Sequence, residues 1–285
     1  MISGATKVCG IIADPIGHSV SPAMHNAAFK KMGIDYVYIP FRVKGGELGQ
    51  AIAGMRALNI RGLNVTIPHK VAVIPLLNEV DNLAQRIGAV NTIVNDDGVL
   101  KGYNTDAAGF LQVLLEREVE SRGKKVVILG AGGASRAISL ALVERGSNLI
   151  ILNRTVEKAK EQAERISRLC HREIQALKLD RENLAEALKN TDILVNTTSV
   201  GMSPNIGETP VTADLIKPPV IVCDIVYNPL KTRLLREAEA AGAQAISGID
   251  MLAWQGALAF EKWTGLKAPV EVMKEAAIKA LRNEN

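Results

Sequence analysis

Short apolar runs alternate with longer amphipathic runs along most of the chain. Runs of four to eight residues rich in Val and Ile predict strands, and longer runs with apolar residues three and four positions apart predict helices. The predicted strands cover residues 8–12, 36–43, 62–66, 89–94, 99–103, 125–129, 148–152, 174–177, 193–195 and 220–225. The predicted helices cover residues 22–32, 47–58, a short stretch near 83, 106–118, 134–145, 156–169, 251–263 and 270–281.

Two local signals refine these bounds. Ser21 suits the N-cap of a helix and Pro22 suits its first position, where the missing N–H costs nothing. Asn95-Asp96-Asp97-Gly98 lies between two apolar runs, and an Asp-Gly pair favours a hairpin turn. The segment 89–103 is therefore predicted to be a β-hairpin.

The alternation of strands and helices in the second half predicts a parallel sheet with helices on both faces. A chain of 285 residues is long for one core and suits two domains. We expect an α/β fold with an N-terminal domain over residues 1–105 and a second domain over residues 106–250. We expect the closing helices, within residues 251–285, to pack back on the first domain, although the sequence alone does not decide this.

The composition excludes several classes of protein. Hydrophobic residues make up 47% of the chain and charged residues 22%, so no long disordered segment is expected. The net charge is +4, and the basic residues form no block that could follow a phosphate backbone. We therefore expect no nucleic-acid partner, whereas a mild positive balance suits an anionic small molecule.

The cysteines indicate neither a disulfide framework nor a metal site. Cys9, Cys170 and Cys223 lie far apart without a Cys-x-x-Cys pair, and each is expected to act as a small apolar residue. The first residues form no apolar signal segment, and no apolar run approaches the roughly 20 residues of a membrane helix. These features predict a cytoplasmic protein without a membrane span.

The most informative local feature is Gly130-Ala131-Gly132-Gly133-Ala134-Ser135, which follows the predicted strand 125–129 and opens a helix. Gly130 would make the tight turn, and Gly132 would let the backbone approach a pyrophosphate held by the free N–H groups of the helix start. Ser135 stands where the dinucleotide fingerprint has its third glycine, and so small a side chain still allows close packing of the helix. A tight turn that binds no ligand is the alternative.

The next predicted strand ends in Asn153-Arg154-Thr155. An NAD-binding domain usually has Asp or Glu here, about 20 residues after the glycines, to bind the ribose 2′-hydroxyl. The guanidinium of Arg154 can instead pair with a 2′-phosphate through two parallel hydrogen bonds. We therefore predict NADP rather than NAD, bound by a Rossmann-type, doubly wound parallel-sheet domain. A solvated arginine at a strand end is the alternative.

Two dense polar stretches, residues 62–70 and 102–109, follow predicted strands, where sites form in α/β folds. Lys70 could donate a proton to a developing alkoxide or stabilise its charge. Asp106 could pair with that ammonium, since a neighbouring carboxylate favours the charged form of a lysine. A solvated lysine and an N-cap aspartate are the ordinary alternatives.

The histidines give a weaker indication. His18, His25, His69 and His171 have no spacing typical of a metal site. Only His69, beside Lys70, is a candidate for the neighbourhood of the site, and a surface or hinge position is the alternative.

Polar and glycine-containing motifs recur along the whole chain. They are Gly17-His18-Ser19-Val20-Ser21-Pro22 with His25-Asn26, Asn64-Val65-Thr66-Ile67-Pro68-His69-Lys70, Gly88-Ala89-Val90-Asn91-Thr92, Gly102-Tyr103-Asn104-Thr105-Asp106, the glycine loop through Arg136, Asn153-Arg154-Thr155, Asn196-Thr197-Thr198-Ser199-Val200-Gly201-Met202 and Met251-Leu252-Ala253-Trp254-Gln255-Gly256-Ala257. In this order they resemble the successive motifs of the shikimate dehydrogenase family, and the match spans almost the whole chain.

The resemblance implies a role for each matching position. Lys70 and Asp106 would form the catalytic pair. The substrate would be bound by Ser19, Ser21, Thr66, Lys70, Asn91, Asp106, Tyr227 and Gln255. The NADP cofactor would be bound by Gly130, Ala131, Gly132, Gly133, Ala134, Ser135, Asn153, Arg154, Thr155, Thr197, Met202, Ile225 and Gly248.

Within the substrate set, the resemblance implies that Ser19 and Ser21 hold a carboxylate. It likewise implies that Thr66, Asn91 and Gln255 bind ring hydroxyls. Ordinary structural roles stay open, with Thr66 as a strand residue and Gln255 as a residue of an amphipathic helix that simply faces solvent. Tyr227 could equally be a packing residue.

The family's reaction is the reversible, NADPH-dependent reduction of 3-dehydroshikimate to shikimate, in aromatic amino-acid and chorismate biosynthesis. The resemblance implies this activity in a monomer or homodimer, with Lys70 stabilising the alkoxide or supplying its proton. A quinate/shikimate dehydrogenase with relaxed cofactor use is the nearest alternative, and residues 95–98 and 226–229 are compatible with it. A non-catalytic NADP-binding sensor is the alternative from another class, because dinucleotide-binding folds are reused without turnover.

Overall fold

The computed structural model of the protein describes residues 2–17 and 19–283, so His18 lies outside the described residues. The strands of the described chain are β1 (Lys7–Ala13), β2 (Tyr36–Arg42), β3 (Gly62–Val65), β4 (Glu79–Val80), β5 (Thr92–Asp96), β6 (Val99–Tyr103), β7 (Lys125–Leu129), β8 (Asn148–Asn153), β9 (Gln175–Lys178), β10 (Ile193–Asn196), β11 (Ile221–Asp224) and β12 (Gln244–Ile246). The α-helices are α1 (Ser21–Met32), α2 (Leu48–Ala57), α3 (Asn82–Ile87), α4 (Asp106–Glu116), α5 (Gly133–Glu144), α6 (Val156–Cys170), α7 (Arg181–Leu188), α8 (Arg233–Ala240), α9 (Gly248–Thr264) and α10 (Val270–Asn283).

Every helix and strand predicted from the apolar pattern is present, with ends shifted by at most three residues. The pattern did not predict β4, α7, α8 and β12. Two of these are strands of only two and three residues, and the helices have eight residues each. Two helical turns are too few for a 3.6-residue period to stand out from chance.

Contacts between residues divide the chain into two compact units. Unit 1 consists of residues 1–109 and 253–285, and unit 2 consists of residues 110–252. Both boundaries fall inside helices, α4 and α9, rather than in loops. The expected bounds at residues 105 and 250 lie close to the first residues of these two helices.

Unit 1 has a six-stranded mixed sheet in the order β2-β1-β3-β5-β6-β4. The strands β2, β1 and β3 run parallel, β5 is antiparallel to both β3 and β6, and β4 is parallel to β6. The hairpin of β5 and β6 closes through Asp97 and Gly98, which have φ of +50° and +89°. Two consecutive positive φ values are what a two-residue type I′ turn requires. The turn is therefore shorter than the predicted 95–98 segment.

An aromatic cluster fixes α9 to the sheet of unit 1. The imidazole of His25 stacks on Tyr38 at 4.4 Å and lies 5.2 Å from the ring of Trp263. The indole Nε1 of Trp263 donates to the carbonyl of Ile93 at 3.0 Å. A Cβ on Gly62 would lie 2.1 Å from that same Nε1, so only glycine leaves room for the indole. Burial lowers the pKa of His25 to about 3, so its ring is neutral in this core.

Unit 2 has a six-stranded, entirely parallel sheet in the order β9-β8-β7-β10-β11-β12. Counted along unit 2, this is the order 3-2-1-4-5-6 of doubly wound dinucleotide-binding folds. The four apolar residues of β7 at 126–129 are completely buried at the centre of this sheet. The strand order reverses between β7 and β10, and ligands of such sheets bind outside the carboxyl ends of the strands at this point.

The cysteines behave as the sequence predicts. Cys9 and Cys223 are buried, and Cys170 is half-buried. Burial raises the pKa values of Cys9 and Cys223. Separately, none of the helices within the described residues combines the length and the apolar character that crossing a bilayer requires.

Replacing Gly62 with alanine is expected to destabilise the protein. The added methyl group would overlap the indole of Trp263, whose hydrogen bond to β5 leaves it little freedom to move. Overpacking of this kind costs about 1–3 kcal/mol and occasionally more. Gly54→Ala is the matched control, because its Cβ meets nothing within 4 Å in the middle of α2. That control is expected to gain about 0.5–1 kcal/mol in urea unfolding. Equal effects of the two substitutions would contradict the steric account.

Candidate functional site

Lys70 and Asp106 form a partly buried ion pair in unit 1. Asp106 is the first residue of α4, directly after β6, and its Oδ2 lies 2.6 Å from the Nζ of Lys70. The two side chains are 14% and 5% exposed, so the interpretation of Lys70 as a solvated lysine is wrong. The interpretation of Asp106 as a capping residue is also wrong, because Asn104 Oδ1 accepts the N–H groups of Asp106 and Ala107. The carboxylate is thereby left for Lys70.

Asn91 holds the second oxygen of the same carboxylate. Its Nδ2 donates to Asp106 Oδ1 at 2.8 Å. Its Oδ1 accepts the backbone N–H of Thr105 at 2.8 Å and the hydroxyl of Thr92 at 2.9 Å. Because Oδ1 already accepts these two hydrogen bonds, the nitrogen end of the amide is the end that faces the carboxylate. Both oxygens of Asp106 are therefore occupied, and the carboxylate has one orientation.

A chain of buried hydrogen bonds continues from Asn91 towards the aromatic cluster. Asn64 Nδ2 lies 3.3 Å from Thr92 Oγ1, and the hydroxyl of Tyr38 donates to Asn64 Oδ1 at 2.7 Å. The sequence analysis missed these supporting residues. The signal available to it was a polar residue at position 64 inside an otherwise buried strand.

His69 anchors the turn that carries Lys70. It is completely buried, and its Nε2 lies 2.7 Å from the carbonyl oxygen of Val43. Because a carbonyl only accepts, the proton of this imidazole is on Nε2. The surface position considered for His69 is therefore wrong, and the hinge position stays a prediction. The N–H of His69 also donates to the carbonyl of Thr66, which places Thr66 and Lys70 on one turn beyond the end of β3.

Ser21 begins α1, and the N-cap is Val20, which has no side-chain capping bond. The prediction that Ser21 is the N-cap is therefore wrong. Ser21 is buried, and its backbone N–H lies 3.4 Å from the hydroxyl oxygen of Ser19. No hydrogen bond of the Ser21 hydroxyl occurs within residues 2–17 and 19–283.

Gln255 is half-buried on α9. A Cβ on Gly109 of α4 would lie 2.9 Å from the backbone nitrogen of Gln255. A Cβ on Gly256 would lie 2.3 Å from Met24 Cε of α1. These close approaches place Gln255 where α9 passes both α4, which begins with Asp106, and α1.

The glycine loop of unit 2 lies at the point where the strand order reverses. Gly130, which follows β7, has φ of +106°, and a Cβ there would lie 2.7 Å from the Oγ1 of Thr197. Thr197 follows β10, and its hydroxyl donates to the carbonyl of Leu129 at 2.6 Å. The two segments predicted to bind the cofactor therefore meet at the ends of β7 and β10.

The start of α5 suits a negatively charged ligand. Its N-cap is Gly132, which offers no side chain to the free N–H groups of the first turn. A Cβ on Gly132 would meet nothing within 4 Å, so the space in front of the helix is open. Ser135 is completely buried, and its hydroxyl donates to the carbonyl of Gly130 at 2.7 Å. These features fit the pyrophosphate of a dinucleotide.

The end of β8 presents a cation and no acid. Asn153 Nδ2 donates to the carbonyl of Thr155 at 2.8 Å, which closes the turn around Arg154. Arg154 is exposed, and its guanidinium forms no ion pair within the described part of the chain. Thr155 is the N-cap of α6 and uses no side-chain cap. The turn is thus compatible with a 2′-phosphate.

A second buried carboxylate, absent from the sequence predictions, supports the loop after β11. Asp224 Oδ1 accepts the Nδ2 of Asn196 at 2.9 Å and the N–H of Val226 at 3.1 Å. Its Oδ2 accepts the hydroxyl of Thr232 at 2.6 Å. Burial raises the pKa of Asp224 to about 6, although these hydrogen bonds act in the opposite direction.

The remaining predicted residues of unit 2 lie on this loop or near it. Ile225 follows Asp224, and a Cβ on Gly248 would lie 2.4 Å from the carbonyl oxygen of Ile225. Tyr227 is half-buried on the same loop, and Met202 is 43% exposed. The structure thus joins Ile225 and Gly248 directly, whereas Met202 lies on the separate segment after β10.

Comparison with known proteins identifies similar chains over nearly the whole length. Family profiles match three parts of the sequence. They are described as the shikimate dehydrogenase substrate binding domain over residues 11–93, shikimate/quinate 5-dehydrogenase over residues 113–227 and the shikimate 5′-dehydrogenase C-terminal domain over residues 248–278.

Individual relatives agree with these profiles. The shikimate dehydrogenase (NADP+) of Methanopyrus kandleri is 50% identical over 99% of this chain and 98% of its own. A shikimate dehydrogenase solved in complex with NADP+ is 45% identical, with a TM-score of 0.92 over 99% of this chain and 98% of that one. The Thermus thermophilus enzyme, solved with NADP(H) and shikimate, is 38% identical, with a TM-score of 0.87 over 96% of this chain and 100% of that one.

Asp224→Asn is expected to change how stability depends on pH. Because the pKa of Asp224 is raised to about 6, the native state binds a proton between pH 4 and 6 that the unfolded chain does not bind. Wild-type stability therefore falls as pH rises through this window, by on the order of 3 kcal/mol. The variant lacks this loss, so urea titrations should show its stability rising relative to wild type from pH 4 to 7.

Asp192→Asn provides a control of opposite sign. The backbone N–H of Lys125 and the side chain of Lys124 hold the pKa of Asp192 below its usual range. That contribution is present at neutral pH and is lost as pH falls, so this variant should lose stability relative to wild type as pH rises. A pH-independent difference for Asp224→Asn would contradict the burial argument.

Proposed function

This chain belongs to the shikimate dehydrogenase family, and from this premise we propose that it catalyses the reversible, NADPH-dependent reduction of 3-dehydroshikimate to shikimate. It is thus an NADP-dependent oxidoreductase that acts on a CH–OH group. The partly buried pair of Lys70 and Asp106 carries the proposal, because it places one fixed ammonium in unit 1 beside a carboxylate whose oxygens are both occupied. A ketone reduction needs such a cation where the alkoxide charge develops.

The residues of unit 2 fit NADP. Gly130 to Ser135 would hold the pyrophosphate, and Asn153 to Thr155 would hold the 2′-phosphate through the guanidinium of Arg154. The other proposed contacts with the cofactor are Thr197, Met202, Ile225 and Gly248. When bound, NADPH supplies the hydride that the ketone carbon accepts.

Lys70 supplies the proton or stabilises the alkoxide charge at the reacting oxygen. Its ammonium can do either, because it has three N–H groups and Asp106 accepts a hydrogen bond from only one of them. Asp106 acts by holding that ammonium in place, since its two oxygens already accept from Lys70 and Asn91. A fixed donor requires no reorganisation when the charge develops.

Ser19 and Ser21 would donate their hydroxyls to the substrate carboxylate. The Ser21 hydroxyl suits this task because it is not used to cap α1. Binding energy at this remote carboxylate would hold the ring for reaction at its ketone.

Thr66, Gln255 and Tyr227 would contact the rest of the ring. Asn91 would bind a ring hydroxyl only by sharing an amide hydrogen, because its two N–H groups already reach Thr105 Oγ1 and Asp106 Oδ1.

The two alternatives have less support. A quinate/shikimate dehydrogenase with relaxed cofactor use would gain from an acid at the end of β8, and Arg154 stands there instead. A non-catalytic sensor has no need of a partly buried ion pair, which is costly to keep unless every partner is satisfied.

The setting of the enzyme also belongs to the proposal. Its product is an intermediate of aromatic amino-acid and chorismate biosynthesis. Three cysteines that form no disulfide within the described residues suit a reducing compartment such as the cytoplasm. A monomer or a homodimer is expected, and sedimentation equilibrium would distinguish them.

The direct test is the loss of NADPH absorbance on addition of 3-dehydroshikimate, with NADH in a parallel reaction. We expect turnover with NADPH, and a kcat/KM for NADH lower by roughly tenfold or more, the factor that a charged hydrogen bond to the 2′-phosphate contributes. Comparable rates with both cofactors would favour the quinate/shikimate alternative. NADPH binding without turnover would favour the sensor.

Lys70→Met is expected to lower kcat by about 10²- to 10⁴-fold, as removal of a general acid or a charge-stabilising group does. NADPH affinity should stay within about twofold of wild type, well below the tenfold that corresponds to 1.4 kcal/mol. The matched control is Lys189→Met, which removes an ion pair of the same 2.6 Å length that is exposed to solvent. That control should retain full activity. Near-wild-type turnover of Lys70→Met would refute the catalytic assignment.

A further inference from the structure

Gln162 on α6 carries a buried amide that none of the predicted roles uses. The residue is 2% exposed. Its Nε2 lies 2.9 Å from Ser135 Oγ and 3.0 Å from Ser139 Oγ, both on α5. Its Oε1 is buried and has no hydrogen-bond partner within the described residues. The hydrogen bonds of Nε2 to the two serines therefore orient the amide, and Oε1 contributes none.

The direction of these hydrogen bonds follows from the chemistry of Ser135. The hydroxyl has a single proton, and its oxygen lies 2.7 Å from the carbonyl oxygen of Gly130, which can only accept. The proton is therefore committed to Gly130, and Ser135 Oγ must accept from its other neighbour. Gln162 Nε2 is the donor that meets this requirement.

This arrangement keeps a carbonyl buried without a partner, which costs free energy. Such a group calls for an explanation in a native structure. Turning the amide over would pair Oε1 with the serines but would draw the Ser135 proton away from Gly130. This orientation of the amide keeps the hydrogen bond from Ser135 to Gly130 in the glycine loop, and it leaves the carbonyl of Gln162 unpaired.

We propose that Gln162 is a positioning residue for the dinucleotide, because it keeps the Ser135 hydroxyl on the Gly130 carbonyl and thereby holds the loop 130–135 in its binding conformation. This inference rests on the proposed NADP function of unit 2. Gly130 makes the tight turn with φ of +106°, and Ser135 closes the loop from the first turn of α5. In this proposal Gln162 acts through Ser135, to which its amide donates.

The loss of Gln162 would release this closure. A serine in a helix can instead donate to the carbonyl four residues earlier, which for Ser135 is Ala131. The Gly130 carbonyl would then lose its donor, and the loop would sample more conformations before binding. Ordering the loop again on binding would weaken affinity for the cofactor without changing the chemistry at the ketone.

The test is Gln162→Met, which keeps the volume and removes the amide. NADPH binding by isothermal titration calorimetry should weaken about fivefold, the factor that corresponds to one hydrogen bond of ordinary net strength. The KM for NADPH should rise in parallel, whereas kcat at saturating NADPH and the KM for 3-dehydroshikimate should stay at wild-type values.

Ser139→Ala is the matched control. Ser139 accepts from the same amide at nearly the same distance, but it lies one helical turn further from the loop. It should alter NADPH affinity by less than about twofold, because the bond of Ser135 to Gly130 is kept, and less than 0.5 kcal/mol is then at stake. Equal weakening by Gln162→Met and Ser139→Ala would show a general packing role and overturn the proposal.

A double-mutant cycle with Ser135→Ala tests the route of action. If Gln162 acts through Ser135, the double variant should bind NADPH no more weakly than Ser135→Ala alone. Additive losses, or an unchanged affinity of Gln162→Met, would overturn the proposal. Ser135→Ala also probes the same contact from its other side if Gln162→Met does not fold.

The calorimetric readout separates this inference from the reaction itself. If the wild-type protein binds NADPH but does not reduce 3-dehydroshikimate, the proposed activity is refuted. The NADPH affinities in the Gln162 double-mutant cycle still test the inference in that case. Wild-type protein that does not bind NADPH would overturn both.

Discussion

The partly buried ion pair of Lys70 and Asp106 is the constraint around which unit 1 is arranged. Removing two charges from water is costly, and the mutual attraction offsets that cost only when the remaining hydrogen-bonding capacity is also satisfied. Asn91 satisfies the second carboxylate oxygen, and Thr105 and Thr92 in turn fix Asn91. Each of these partners must therefore lie at one edge of the sheet.

The antiparallel direction of β5 explains how Lys70, Asp106 and Asn91 can all lie at one edge of the sheet. Lys70 follows the carboxyl end of β3, and Asp106 follows the carboxyl end of β6. Asn91 instead precedes β5, but β5 is antiparallel to both neighbours, so its start lies at the same edge. The hydrogen bonds from Val65 N to Asn91 O and from Asn91 N to Tyr103 O place it there directly. An all-parallel sheet would have put the start of β5 at the opposite edge.

This reversal also marks the limit of what the sequence could predict. Periodicity reports which residues form a strand, and it says nothing of the direction or order in which strands pair. The parallel sheet of unit 2 was predictable because strands and helices alternate there, and the glycine loop because it needs particular backbone angles at Gly130. The burial of His69 and the amide of Gln162 depend on partners distant in sequence, which no local pattern contains. The roles of individual residues in binding stay predictions.

Buried polar groups are distributed unevenly in unit 2, and their positions indicate which loops are held in place. The centre of unit 2 is apolar, with the residues of β7 at 126–129 fully enclosed, whereas buried polar groups lie at the ends of β10 and β11, at Asn196 and Asp224, and in the first turn of α5, at Ser135. The raised pKa of Asp224 shows that such burial is unfavourable for the charge it encloses. Groups kept in spite of that cost hold the loops after β7, β10 and β11 in one conformation. Burial of apolar side chains supplies most of the stability of the sheet. The sheet therefore does not depend on the conformation of these loops.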